Sequence, residues 1–176
     1  MNGQLQDLYS PLVLEHGRRP RNRRIPAGAT HRASGDNPLC GDQIDIHLRI
    51  ADGCVQDIGF DGVCCLFATA SASLMTGAVM GQDLDRTHEL HEAFLRLMAG
   101  ADPASLPQLG GLVTLSSMNL SRERALCATL AWQALGAALR VAASVAAPGH
   151  ANTHRPGATV LPPTPAGAAS PVVPFT

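Results

Sequence analysis

The chain of 176 residues contains no lysine, so all 13 of its basic side chains are arginines. That absence removes every chemistry that needs a side-chain amine, from Schiff-base catalysis to the phosphate-gripping lysine of a P-loop. Aromatic residues are scarce as well, at 3%, although 45% of the chain is hydrophobic. A core has to be assembled from Leu, Val, Ile, Ala and Met. Excess charge of either sign is missing: the formal net charge is −1 and the pI about 6.6. Bulk charge therefore argues against a nucleic-acid binder. No apolar run reaches the roughly 20 residues needed to cross a bilayer. The longest stretch, Ala125 to Ala147, is broken by Gln133 and Arg140 and reads as a buried helix. Met1 to Tyr9 carries Asp7 and lacks the apolar centre of a signal peptide. These absences predict a cytoplasmic protein with no membrane and no nucleic-acid partner, in which cysteines stay reduced.

The length suits one domain with a tail. Leu5, Leu8 and Leu12 recur at helical spacing, which predicts a helix over residues 4–16, with Pro11 either kinking it or marking its first turn. Five arginines follow between Arg18 and Arg24; they form either a solvated loop or a docking patch for an acidic partner. Ala27 to Ala33 is expected as a short edge strand, and Gly35-Asp36-Asn37-Pro38 as a turn. Ile44, Ile46, Leu48 and Ile50 alternate with Gln43, Asp45, His47 and Arg49, the period of a half-buried strand. A turn at Ala51-Asp52-Gly53 joins it to a second strand, Cys54 to Phe60. Leu66 to Met80 is small and apolar, a close-packed helix stopped by Gly81. Asp83 to Met98 is a more amphipathic helix, and Gly100 to Gly111 a loop. Ser121 is the expected N-cap of a long helix from Arg122 to about Ala142, with Trp132 in the core. Seven of the 13 prolines fall after residue 147, so residues 143–176 are expected to be a disordered tail behind a domain of residues 1–142. Strands first and helices after give an α+β class: a small antiparallel sheet of about three strands packed against helices.

Chemistry concentrates in the cysteines. Their number, five, is odd, so they cannot all pair within the chain. Gly41 lets the backbone turn sharply, so Cys40 and Asp42 can converge. Cys65 falls at the start of a helix, where the positive end of the macrodipole is expected to favour its thiolate. Cys127 lies in the first turns of the last helix. Cys40, Asp42, Cys65 and Cys127 make a three-sulfur, one-oxygen set suited to Zn²⁺. The spacing matches no standard zinc finger, however, and small buried core cysteines are the alternative.

Four separate motifs then share an order: Asn37-Pro38-Leu39-Cys40-Gly41-Asp42, Phe60-Asp61-Gly62-Val63-Cys64-Cys65, Ala70-Ser71-Ala72-Ser73, and Arg124-Ala125-Leu126-Cys127-Ala128-Thr129-Leu130-Ala131-Trp132. Together with Leu8-Tyr9 through His16 and Pro20-Arg21-Asn22, they resemble the U-type iron–sulfur assembly family of IscU, SufU and the N-terminal domain of NifU. The likeness spans residues 5–140 and is greatest to SufU, which carries an extra stretch matched by Thr87 to Asn119. The IscU branch has a histidine where Leu126 stands and a Leu-Pro-Pro-Val-Lys segment that this chain lacks.

The resemblance implies a SufU/IscU-like fold and a metal site of Cys40, Asp42, Cys65 and Cys127. It implies Zn²⁺ in that site, with Cys40 accepting sulfur from a SufS-like cysteine desulfurase and downstream Suf scaffold proteins as recipients. Any catalysis would be that of a zinc-dependent sulfurtransferase. The alternatives are a scaffold carrying a [2Fe–2S] cluster on the same ligands and a zinc-stabilised adaptor without catalysis. Asp42, the hard oxygen ligand of a soft site, is the one expected to let go. Arg124 is either a cation stabilising the freed thiolate or a surface helix arginine. Cys54 is expected to be structural, and Cys64, which stands where the family usually has glycine, is left out of the site. His16 is either an outer residue of the site or without a role in it.

Overall fold

The computed structural model describes residues 10–116, 122–146 and 158–160. The first described helix, α1 (Pro11–Arg18), starts where Ser10 accepts a hydrogen bond from the Val13 amide at 3.3 Å. Pro11 sits in the first turn, where its missing N–H costs nothing, so it begins the helix rather than kinking it. Residues 4–9 of the expected helix lie outside the described residues.

Three strands form an antiparallel meander: β1 (His31–Asn37), β2 (Asp42–Ala51) and β3 (Cys54–Val63). Alternation in β2 sends Ile44, Ile46 and Leu48 inward, and each is at most 2% exposed. The strand expected at Ala27 to Ala33 instead runs from His31 through Asn37, absorbing most of the expected turn. The reason is packing at Gly35. A side chain there would meet Leu130 Cδ1 at 3.2 Å, so the glycine serves a close helix–strand approach and not a bend.

Helices cover the inner face of this sheet. Helix α2 (Leu66–Val79) is buried along most of its length, as its Ala/Ser/Thr composition allows. Helix α3 (Leu84–Met98) is capped by Asp83, which accepts from the Arg86 amide at 2.6 Å. The expected loop at Gly100–Gly111 holds two short 3₁₀ segments, Pro103–Ser105 and Pro107–Leu115. They bury Leu106, Leu109, Leu112 and Leu115, whose spacing of three matches the three-residue turn. Helix α4 (Arg122–Ala146) crosses the sheet, and its Trp132 is fully buried, stacked on Phe94 with ring centroids 4.3 Å apart. Its expected cap, Ser121, lies outside the described residues. Length and composition would let α4 cross a bilayer, but its apolar residues are spent on the core: Leu130, Ala131, Leu135, Ala138 and Leu139 are nearly inaccessible. Burial of each large side chain contributes about 1.5–3 kcal/mol.

The architecture is thus the expected α+β arrangement. At its far end, α4 continues past residue 142, and Ala158–Val160 adds a short strand, β4, on the open edge of β1, with Thr159 opposite Arg32. The β-branched pair Thr159-Val160 and an unpaired strand edge account for this piece of structure inside the Pro-rich segment. The remainder of residues 147–176 lies outside the described residues.

Candidate metal centre

Three chain segments meet at one end of the sheet. The first is the turn between β1 and β2. The Asn37 carbonyl accepts from the amides of Cys40 at 3.3 Å and Gly41 at 2.9 Å, and Gly41 takes a φ of 74° that a side chain would strain. Asp42 then opens β2. The second is the N-terminus of α2, where Cys65 itself is the N-cap and its Sγ accepts from the Ala68 amide at 3.4 Å. The third is the second turn of α4, which carries Cys127.

Potential ligand atoms of Cys40, Asp42 and Cys127 all lie within 4.8 Å of one another. Cys40 Sγ and Cys127 Sγ are 3.4 Å apart. Cys65 adjoins them: its amide donates to Asp42 Oδ1 at 2.7 Å, and its thiol interacts with Asp42 and Cys127. Cys40 is exposed, whereas Cys127 is 5% and Asp42 4% exposed. Three of the four predicted ligands, Cys40, Asp42 and Cys127, thus form one close donor group, and the fourth, Cys65, stands beside it outside that group.

The electrostatics of the metal-free cluster are frustrated. Burial raises the Asp42 carboxyl, but hydrogen bonds from the thiols of Cys65, Cys40 and Cys127 and from the Cys65 amide outweigh it and hold the group below the ordinary range. Burial pushes Cys127 up, and so do the neighbouring Cys40, Cys65 and Asp42. Cys65 was expected to be lowered by its helix terminus. Instead burial and the Asp42 carboxylate raise it, against the Ala68 and Phe67 amides that pull it down. The Cys65 and Cys127 thiols are therefore kept neutral beside a charged carboxylate. Asp42 Oδ2 is buried with no hydrogen-bond partner among the described residues. A soft divalent cation answers both features: it favours the thiolates and satisfies the orphaned oxygen. The donor set fits Zn²⁺, and it equally fits iron in a cluster.

Arg124 is half-buried one turn before Cys127. His16 is buried away from the cluster, its Nδ1 2.8 Å from Ser73 Oγ, and pins α1 to α2. Cys54 opens β3. Cys64 hydrogen-bonds the Gln43 carbonyl at 3.3 Å, and burial raises its thiol to about 11. Asn37, read from sequence as part of a turn and of the first motif but given no place in the site, is the residue that was missed: it is 5% exposed and its Nδ2 lies 3.5 Å from Cys127 Sγ. Its place three residues before Cys40 was the available signal.

A small α+β domain with a thiol–carboxylate cluster at the sheet's end defines a class of protein, and the comparisons give that class its family. A family described as the NifU-like N terminal domain matches residues 8–144. The zinc-dependent sulfurtransferase SufU of Bacillus subtilis (strain 168) is 31% identical over 134 residues, covering 76% of this chain and 90% of that protein. The iron–sulfur cluster assembly scaffold protein IscU of Streptococcus pyogenes serotype M1 is 31% identical over 140 residues, covering 80% and 87%. In fold, the chain is similar to a nitrogen-fixing NifU-like protein (N-terminal) from Brucella abortus, with a TM-score of 0.67, 20% identity and coverage of 82% and 100%. The chain belongs to the NifU-like N-terminal family, the family of SufU and IscU.

Proposed function

We propose that this chain serves iron–sulfur cluster assembly as a zinc-holding acceptor of sulfur, working with a SufS-like cysteine desulfurase. The observation that supports the reading is the convergence of Cys40, Asp42 and Cys127, with Cys65 adjoining through its amide on Asp42 and only Cys40 exposed. Cys40, Asp42, Cys65 and Cys127 would hold the ion, whose positive charge favours deprotonated sulfur at neutral pH. Cys40 then acts as the nucleophile. Its thiolate attacks the outer sulfur of the partner's persulfide, a Cys40 Sγ–S bond forms, and the partner's S–S bond breaks. The partner's cysteine leaves as thiolate and regains a proton, so sulfur moves without net oxidation. In this reading Arg124, one turn from Cys127 in the chain, would be the cation that steadies the freed thiolate.

The test is metal analysis of the purified protein beside a sulfur-transfer assay with a cysteine desulfurase. Stoichiometric zinc, stimulated desulfurase turnover, and loss of that stimulation in Cys40→Ser are expected. Protein without zinc that leaves turnover unchanged overturns the reading. A second reading, a [2Fe–2S] scaffold, is favoured by the relative named IscU at 31% identity. Anaerobic reconstitution with iron and sulfide, followed by cluster transfer to an apo-acceptor, would establish it instead.

A further inference from the structure

We propose that Asn37 is a positioning residue that makes the thiols of the centre inequivalent and so directs sulfur chemistry to Cys40. The inference rests on the reading of the site as a metal-bound sulfur acceptor.

Asn37 closes β1 and is 5% exposed, and every polar group it offers to this loop is used there. Its carbonyl holds the amides of Cys40 and Gly41. Its Oδ1 accepts from the Leu39 amide at 3.2 Å, fixing the turn. The turn needs nothing from the other end of the carboxamide, yet Nδ2 donates to Cys127 Sγ at 3.5 Å. Cys65 has a donor of its own in the Ala68 amide. Cys40 differs. Among the described residues no amide N–H reaches its sulfur, which is itself the donor to the Asn37 carbonyl at 3.8 Å.

An N–H donor to sulfur stabilises the thiolate and lowers its basicity. Intrinsic nucleophilicity falls with basicity, so a thiolate holding an N–H donor is the poorer nucleophile. Cys65 and Cys127 are quieted in this way and Cys40 is not, although Cys40 and Cys127 sulfurs are only 3.4 Å apart. Exposure and donor placement then select the same thiol. A carboxamide at position 37 can brace the loop and quiet Cys127 at once, because it has an acceptor at one end and donors at the other.

Asn37→Asp separates the two duties. It retains an oxygen for the Leu39 amide and replaces the donor facing Cys127 with an acceptor. Asn37→Ser, which keeps a turn-forming oxygen without introducing charge, is the companion variant and decides the matter should Asn37→Asp not fold. The full chain is loaded with zinc, treated with iodoacetamide, and the alkylated sites are mapped by mass spectrometry over time. The wild type should be labelled first at Cys40. In the variants, labelling of Cys127 relative to Cys40 should rise on the order of tenfold, the size of one hydrogen bond to a charged group. With Co²⁺ in place of zinc, the thiolate-to-metal charge-transfer bands should shift. A wild-type labelling ratio with unmoved Co²⁺ bands in both variants overturns the role of Asn37 alone. A wild type that takes up neither ion overturns the metal-site reading and this inference with it.

Discussion

Gly62 shows how a single position can constrain the centre. It lies in β3 three residues before Cys65 with a φ of 125°, and a side chain there would collide with the Gln43 carbonyl oxygen and approach Ile44 Cα at 3.1 Å. The obstacle is β2 backbone, which cannot turn aside as a side chain can. Gly62→Ala should therefore destabilise the fold by about 1–3 kcal/mol, read as a lower urea midpoint. It should also lower zinc content, because Gln43 and Gly62 lie next to Asp42 and the Cys64–Cys65 turn. An unchanged midpoint would show that β2 yields more easily than its ladder implies. The same scale explains why Cys65 defied the simple helix-terminus argument. The sequence reveals that a helix starts there, but not that Asp42 stands against the thiol, and the carboxylate and burial outweigh the terminus.

At the scale of elements, three histidines, His16 buried and His31 and His91 half-buried, are set up to resist protonation. His16 lies between α1 and α2, lowered by burial and then by Arg21, against a smaller opposing effect of Glu15. His91 of α3 presses on α4, where a side chain at Gly136 would meet its Nε2 at 2.5 Å; burial, His88 and Arg140 lower it. His31 of β1 is lowered by burial. A depressed histidine binds protons more readily in the unfolded chain. The stability it contributes is full above the unfolded value near 6.5 and is lost as pH falls toward the folded value. The melting temperature should therefore drop between about pH 7.5 and pH 5.5, well above the range where Asp45 and Asp57 begin to protonate. His91→Gln should flatten part of that slope in a pH series of thermal melts. Most of these elements were legible beforehand. Strict alternation marked β2, the Asp52-Gly53 turn marked the hairpin, and Asp83 marked the start of α3. The course of β1 was not, because turn chemistry in Gly35-Asp36-Asn37 competed with a tertiary fact, the approach of Leu130, that no local pattern carries. That Cys40, Asp42 and Cys127 would meet was legible through their motif neighbours. The role of Asn37 depends on a contact across 90 residues and was not.

For the whole molecule, the question is how a partner finds the rim that carries Cys40. The arginine segment was open to two readings, and its members now divide. Arg24 pairs with Asp57 through two hydrogen bonds of 2.7 and 3.0 Å, Arg23 caps the Gly62 carbonyl at 2.9 Å, and Arg21 reaches Glu15 at 3.5 Å. Arg18 and Arg19 instead line a surface cavity of about 320 Å³ with Pro11, Leu14 and Glu15. Their helix packs against the start of α2: a side chain at Gly17 would meet Leu66 Cγ at 2.6 Å, and Leu66 follows Cys65 directly. Two exposed cations on a segment packed against the start of α2 suit a partner with an acidic rim, and such contacts act chiefly on encounter. At about 0.5 kcal/mol each, losing both is worth about fivefold in Kd, and reversing their sign somewhat more. The double variant Arg18→Glu/Arg19→Glu should weaken desulfurase binding by at least that factor in low-salt titration calorimetry, mainly through slower association. Wild-type affinity should fall as salt rises from 50 to 300 mM, as the Debye length shrinks from roughly 14 Å to about 6 Å, while the variant's should rise because screening weakens the repulsion of its new carboxylates. Zinc content and the labelling preference for Cys40 should stay as in the wild type, since neither arginine touches the cluster. Equal affinity and equal salt dependence in the two proteins would assign the segment to solvent and leave docking to the apolar side chains at the rim, Leu39, Val63 and Leu126, which are 68%, 74% and 37% exposed.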